Sequence, residues 1–292
     1  MAEHYLWKIA EGSTVKLKDY NPATTKNYDP SDEQKQAEAQ KQLDNLSEEL
    51  SNLQELLSAA QHHSMLIVLQ GMDTSGKDGT IRHVLSHVNP QGCKVHSFKT
   101  PTAQELGHDF LWRVHKVTPA KGELGIFNRS HYEDVLVTRV HHLVSEDVWS
   151  RRYKEIKQFE RLLAHNGTII LKFFLHISKE EQERRLEARV QDKDKAWKIS
   201  ADDWRERNYW NDYQQAYADA ISKCSIEEAP WYIVPSDRKW YRNLAIAHTL
   251  VQTMRTYKDE WRTQLEKRGR QELEALQQLR TSQSQEQKSK EK

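Results

Sequence analysis

The sequence predicts an α/β protein: a parallel sheet with helices on both faces. Three observations predict it. Short apolar runs alternate with helical patterns through most of the chain, and that order joins parallel strands by crossover helices. The run at 65–69 is apolar, with Ile67 and Val68 near its centre, which suits a buried strand. It leads into Gly71, Gly76 and Lys77, the G-x4-G-K spacing of a phosphate-binding loop. A helix follows, marked by Ile81, Val84, Leu85 and Val88.

The elements follow in order. Residues 1–30 are mixed, hold Pro22 and Pro30, and read as an irregular arm. Ser31 followed by Gln34 resembles a capping box. Leu43, Leu46, Leu50, Leu53 and Leu57 then mark an amphipathic helix of roughly thirty residues. Packing on the chain's own core is its expected use, and the stripe also permits the homo-oligomer expected here. Strands are expected at 65–70, 94–98, 124–128, 168–175 and 231–234. Helical patterns fill 79–89, 103–116, 145–165, 179–190 and 201–223, and a last helix at about 243–271 closes the core. The chain thus divides into an arm and helix at 1–62, an α/β domain at 63–272 and a polar tail at 273–292. From about Thr281 the tail has no apolar residue, so it is expected to be disordered. Ligands of such sheets bind at the carboxyl ends of the strands, where 71–79 and 128–134 both fall.

Composition removes several classes of function. Lys+Arg 44 against Asp+Glu 43 leave a net charge of +1, so no global field draws in nucleic acid. Cys93 and Cys224 are far apart and unpatterned, which fits a reduced cytoplasmic protein better than a disulfide framework. The opening MAEHYLWKIAEGS lacks a basic segment followed by an apolar one, so no secretory signal is expected. The longest apolar stretch, 168–177, is interrupted by Lys172 and His176 and is too short to span a bilayer. His108, Trp112 and His115 share a helix face but lack a third well-spaced ligand, so no metal site is expected there.

Three places carry the chemistry. The loop runs through Gly71, Thr74, Ser75, Gly76, Lys77, Asp78 and Gly79. Its backbone N–H groups form a concave anion site, the following helix adds its positive end, and Lys77 reaches the outer phosphates. Asp78 stands where such loops usually place a Ser or Thr for magnesium, and Asp73 is a carboxylate inside the loop. Both make sense if Asp73 takes a hard divalent cation. The second place is GIFNRSHYED at 125–134. Asn128 ends a strand where phosphoryl-transfer enzymes with such a loop usually end in a metal-holding Asp. Arg129 offers a planar fork for phosphate oxygens, and Glu133 and Asp134 follow it toward the nucleotide side. The third holds Arg184, Arg185, Arg189 and Lys193 after the fourth strand. Arg185 and Arg189 are four apart and share a helix face. A solvated charged face explains these cations as well as a phosphoryl-clamping lid over about 179–210 does. Lys99 ends the second strand, and Arg113 lies beyond it.

GMDTSGKDGTIRHV, FKTPTAQELGHDFLWR, GELGIFNRSHYEDVLVTRVH and APWYIVPSDRKWYRN together resemble the family-2 polyphosphate kinases. The likeness runs from about Tyr20 to Met254, with matching order and spacing. It implies a P-loop kinase fold and reversible phosphoryl transfer between inorganic polyphosphate and a nucleotide, with Mg2+ or Mn2+. It implies Gly71–Gly79 as phosphate loop, Asp73 as metal ligand and base, and Lys77, Arg129, Arg185 and Arg189 as holders of the moving phosphoryl group. Many members write FDRSWY, whereas this chain has FNRSHYED with Asn128, which resembles the class III subgroup that accepts both AMP and ADP. Asn128 then stands as a second metal ligand, and ATP is the final product. No Cys or His sits where a covalent phospho-enzyme would need it, so direct transfer is expected. A basic groove for polyphosphate should lead to Asp73 and Lys77, with the nucleotide opposite. The alternatives are an ATP-dependent nucleotide kinase and a nucleotide-binding module with a weakened loop.

Overall fold

The computed structural model describes residues 5–26, 28–191 and 201–290. One sheet holds β1 (Trp7–Ile9), β2 (Ser64–Gln70), β3 (Cys93–Ser97), β4 (Leu124–Asn128), β5 (Thr168–His176) and β6 (Trp231–Pro235). Their order is β1-β6-β5-β2-β4-β3. Strands β2 to β6 are parallel, and β1 joins β6 antiparallel at the edge. The expected five parallel strands are there, and the arm read as irregular adds a sixth. Three residues of mixed polarity carry too little periodicity to show as a strand, although Tyr5, Leu6 and Ile9 are buried.

The helices are α1 (Glu33–Ala60), α2 (Lys77–Val84), α3 (Ala103–Leu106), α4 (Trp112–His115), α5 (Val137–Val140), α6 (Glu146–His165), α7 (Lys179–Gln191), α8 (Ala201–Glu206), α9 (Trp210–Cys224) and α10 (Lys239–Lys290). Successive residues of a strand face opposite ways, and β2 shows that both faces are covered. Met65, Ile67 and Leu69 join the core with α1, α2 and α10, while Leu66 and Val68 join the core with α6 and α9. The α1 leucines are spent inside this first core.

Several boundaries differ from the sequence reading. Asp32, not Ser31, caps α1 by accepting from the Gln34 and Lys35 amides, while Ser31 Oγ donates to Asp29. The pattern at 103–116 is two short helices, α3 closing at Gly107. That at 201–223 is interrupted by a 3-10 turn at Arg207–Tyr209. The last helix, expected to end near 271 before a disordered tail, runs on to Lys290. Beyond Gly269 there is neither Gly nor Pro, and Glu, Gln, Leu, Arg and Lys dominate, all good helix formers. Leu273, Leu276 and Leu279 stay exposed on it. Among the described residues no helix is long and apolar enough to cross a membrane.

The two residues that interrupt the apolar stretch of β5 are buried with partners. His176 Nε2 lies 3.0 Å from the Tyr20 carbonyl, and burial pushes the ring down to about 4, so it is neutral. Lys172 is fully buried. It donates to Glu160 Oε2 at 2.5 Å, to Tyr132 Oη at 3.0 Å and to the Cys224 carbonyl at 2.7 Å. Glu160 Oε1 also takes Tyr132 Oη at 2.9 Å and faces His131 Nε2 at 3.1 Å. Burial opposes the charge on Glu160, but Lys172 and His131 outweigh it and hold the carboxyl below its usual range. Through His131 and Tyr132 this network pins the 3-10 turn that begins two residues after Arg129. Lys172→Met alone leaves Glu160 charged in the core and should cost about 3–5 kcal/mol. Adding Glu160→Leu should recover most of the loss. Denaturant unfolding of the wild type, the single and the double variant checks this.

Candidate active site

The turn between β2 and α2 lies at the carboxyl edge of the sheet. Leu69 and Ser97 are both in register with Asn128, so the ends of β2, β3 and β4 converge there. The turn needs left-handed backbone at three positions. Gly71 has φ +153°, and a Cβ there would lie 2.7 Å from the Leu175 carbonyl. Gly76 has φ +105°, and a Cβ there would lie 1.8 Å from Nη1 of Arg242. Thr74, with a side chain, is held at φ +63°, a strain on the order of 1 kcal/mol that its surroundings must offset.

The surroundings are two arginines. Arg185 Nη1 donates to the Thr74 carbonyl at 2.9 Å and the Ser75 carbonyl at 3.2 Å. Its Nη2 donates to the Ser236 and Asp237 carbonyls. Arg242 Nη1 donates to the Ser75 carbonyl at 2.9 Å. Held from outside by its carbonyls, the loop keeps the form that offers N–H groups to an anion. Lys77 opens α2 and its Nζ donates to the Gly71 and Met72 carbonyls at 2.7 and 3.3 Å. Burial, with Arg129 nearby, pushes its ammonium down to about 8.

A cavity of about 610 Å³ opens on the inner side of the loop. Asp73, Thr74, Gly76, Lys77, Asp78, Gly79, Lys99, Asn128, Arg129 and Arg189, all named from the sequence as candidate site residues, line it together. Asp73 Oδ1 accepts from Arg129 Nη2 at 2.8 Å. Asn128 Nδ2 donates to Asp78 Oδ1 at 2.7 Å, so the amide masks one carboxylate of the loop. Glu133 backs Arg129 at 3.8 Å; burial raises its carboxyl, with Arg129 opposing. A second cavity, of about 350 Å³, lies on the other side. The two share Thr74, Gly76, Asp78, Gly79 and Arg189. The second takes Arg82, Arg184, Lys239 and Arg242 against Asp78 alone among acids.

Other expected residues stand elsewhere. Arg113 and Asp134 are buried behind the loop that follows β3. Arg113 Nη1 donates to the Lys99 carbonyl at 2.9 Å, and Asp134 pairs with Arg152 at 3.3 Å and Arg113 at 3.7 Å. They hold Lys99 in place and line neither cavity. Gly71 and Ser75 shape the loop from beneath. Arg185, read as a phosphoryl holder, lines the second cavity but gives its donors to carbonyls and to Glu181. Arg184 is paired to Glu181 and exposed. Arg189 is paired to Asp203 at 3.0 Å yet reaches both cavities. Lys193, with Lys195 and Lys198, lies outside the described residues. The sequence reading missed Arg82, Lys239 and Arg242. The signal was present in GTIRHV and SDRKWYRN, but these cations come from separate helices that only the fold brings together.

A divalent cation fits the first cavity. Asp73 and Asp78 bring carboxylate oxygens and Asn128 an amide oxygen to its lining, hard donors of the kind that hold such an ion together with phosphate oxygens and water. The ligands do not close into a cage of their own. Among the described residues a converging group of three is found only at His62, His63 and Glu260, away from this site.

The family model described as Polyphosphate kinase 2 (PPK2) matches residues 33–262. The chain is 50% identical over 248 residues to the AMP/ADP-polyphosphate phosphotransferase of Meiothermus ruber, covering 85% of this chain and 91% of that protein. It is 47% identical over 244 residues to the ADP-polyphosphate phosphotransferase of Rhodopseudomonas palustris, covering 80% and 84%. The crystal structure of Polyphosphate Kinase 2 from Arthrobacter aurescens superposes with a TM-score of 0.80 at 41% identity, over 85% of this chain and 87% of that one. These likenesses take in both cavities and the helices that support them.

Lys77→Ala should leave the fold intact and lower kcat by about two to three decades, the usual loss of one positioned charge in a site closed to water. In the wild type, kcat/KM should fall as pH rises through about 8, where free Lys77 loses its proton. A kcat/KM profile flat to pH 10 would remove Lys77 from the reaction.

Proposed function

The chain belongs to the polyphosphate kinase 2 family, and we propose that within it this enzyme carries phosphoryl groups from inorganic polyphosphate to both AMP and ADP. The observation that carries this reading is the pair of cavities joined along one lip of the phosphate loop. The basic cavity suits a long polyanion. The other, with two carboxylates and an amide on its wall, suits a nucleotide phosphate with its cation.

The reaction follows from that placement. The chain end of polyphosphate lies across Gly76–Gly79 from the second cavity, and the acceptor's terminal phosphate lies in the first. One acceptor oxygen attacks the terminal phosphorus, the new P–O bond forms, and the bridging P–O bond to the next phosphate breaks in line with it. The electron pair leaves with the shortened polyphosphate. Since the second ionisation of a phosphate ester lies at about pH 6, the attacking oxygen is already anionic and needs no base. Asp73 is therefore given to the cation and to Arg129. Lys77 and Arg129 neutralise the equatorial oxygens, and Arg189 approaches from the α7 side. Kinases of this family need a divalent cation. We assign magnesium to Asp73, Asp78 and Asn128, where it cancels charge between two polyanions when bound. The same geometry run backward takes ATP to polyphosphate. Two buried or half-buried thiols, Cys93 and Cys224, free of disulfide, agree with a cytoplasmic enzyme.

Use of two acceptors rests on Asn128. Its amide covers Asp78, so the wall meets the acceptor's phosphates with little unmasked charge, whether one phosphate or two are present. Asn128→Asp sets two carboxylates side by side, and one must be protonated or take a cation. The ratio of kcat/KM for AMP and ADP should change, while KM for polyphosphate stays nearly constant. A wild type that uses only one acceptor, or an unchanged ratio, contradicts this reading.

Asp73→Asn should raise the magnesium concentration needed for half activity on the order of 10–100-fold, the cost of disturbing a metal's ligand set. An unchanged magnesium titration would place the ion elsewhere.

A further inference from the structure

Arg242 is placed where a cation is costly. It is 1% exposed. It stands in the first turn of α10, at the positive end of the helix dipole, where cations are disfavoured. Buried charges are ordinarily paired, as Lys172 is with Glu160 at 2.5 Å and Arg185 with Glu181 at 2.7 Å. Among the described residues Arg242 has no carboxylate. Its Nε and Nη2 donate to the amide oxygen of Asn243 at 3.1 and 2.8 Å, and its Nη1 to the Ser75 carbonyl. Burial, with Arg185 beside it, pushes the guanidinium down to about 9.

What the arginine touches is the phosphate loop at the lip the cavities share. A Cβ at Gly76 would lie 1.8 Å from Nη1, and one at Gly79 would lie 3.4 Å from Nη2. The glycine at 76 thus makes room for the guanidinium as well as for the turn. The side chain also forms part of the second cavity's wall. We propose that Arg242 is a positioning residue for the transfer: it fixes the loop's outer carbonyl, and the bound phosphate chain serves as the counter-ion it otherwise lacks. This rests on reading the second cavity as the phosphate-chain site.

Two consequences separate it from a merely structural residue. Taking away an unpaired buried charge removes a cost, and the Ser75 carbonyl keeps Arg185 as a donor at 3.2 Å. Without ligand, Arg242→Met should therefore melt at the wild-type temperature or above. With ligand, the variant has lost both a fixed loop and a cation. Tripolyphosphate binding, measured by calorimetry, should weaken by about tenfold or more, and kcat should fall by roughly 100-fold, as when a preorganised donor is removed. Arg242→Lys, which keeps the charge without the fork, should recover binding more than kcat. The test compares the three proteins by melting, by calorimetry with tripolyphosphate and by steady-state rates with polyphosphate and AMP. A Met variant that melts several degrees lower, or does not fold, makes Arg242 structural and overturns the proposal. So do binding and kcat within twofold of wild type. Should the wild type fail to turn over polyphosphate with AMP or ADP, the reading of the enzyme falls, and the calorimetric comparison still decides the role of Arg242.

Discussion

The site depends on holding one strained turn still. Between β2 and α2 the backbone is left-handed at Gly71, Thr74 and Gly76, and the turn is useful only while its N–H groups face the cavity. Its carbonyls then face the protein, and buried guanidinium groups from α7 and α10 meet them. A loop fixed in advance does not have to reorganise as charge moves during the reaction. The same two arginines tie α7, which carries Arg189, and α10 to the loop. The shape of both cavities thus follows from one set of hydrogen bonds.

Charge is arranged locally rather than globally. A net charge of +1 conceals a second cavity with several cations and one acid, and a first with mixed charge. Acids are placed where they steady a cation without filling a cavity: Glu181 on Arg184 and Arg185, Asp203 on Arg189, Asp134 on Arg113 and Arg152. The buried Lys172–Glu160 pair does the same for the turn after β4. The positive potential is thus concentrated in the second cavity, although the chain as a whole is nearly neutral.

How much of this was legible in the sequence depended on how local the cause was. The loop, its strand and its helix were legible because spacing, apolar run and helical period lie within about twenty residues. The parallel sheet was legible from alternation. The edge strand β1 was not, since its three residues gain their role only by pairing with β6. Nor was the extent of α10, which is set by propensity where polarity suggested disorder. The arginines divided least predictably. Arg185 and Arg189 are one helical turn apart, yet Arg185 gives its donors to carbonyls in the wall of the second cavity while Arg189 reaches both cavities. Arg82, Lys239 and Arg242 come from α2 and α10, and no sequence spacing relates them to Arg189.

The central claim is that the phosphoryl group crosses directly between two cavities at a single lip. The stereochemical course at the transferred phosphorus tests it most directly, followed with an isotopically chiral terminal phosphoryl group. One in-line displacement inverts the configuration, and inversion is the result this account predicts. Net retention would require a covalent phospho-enzyme and two displacements, and would contradict it.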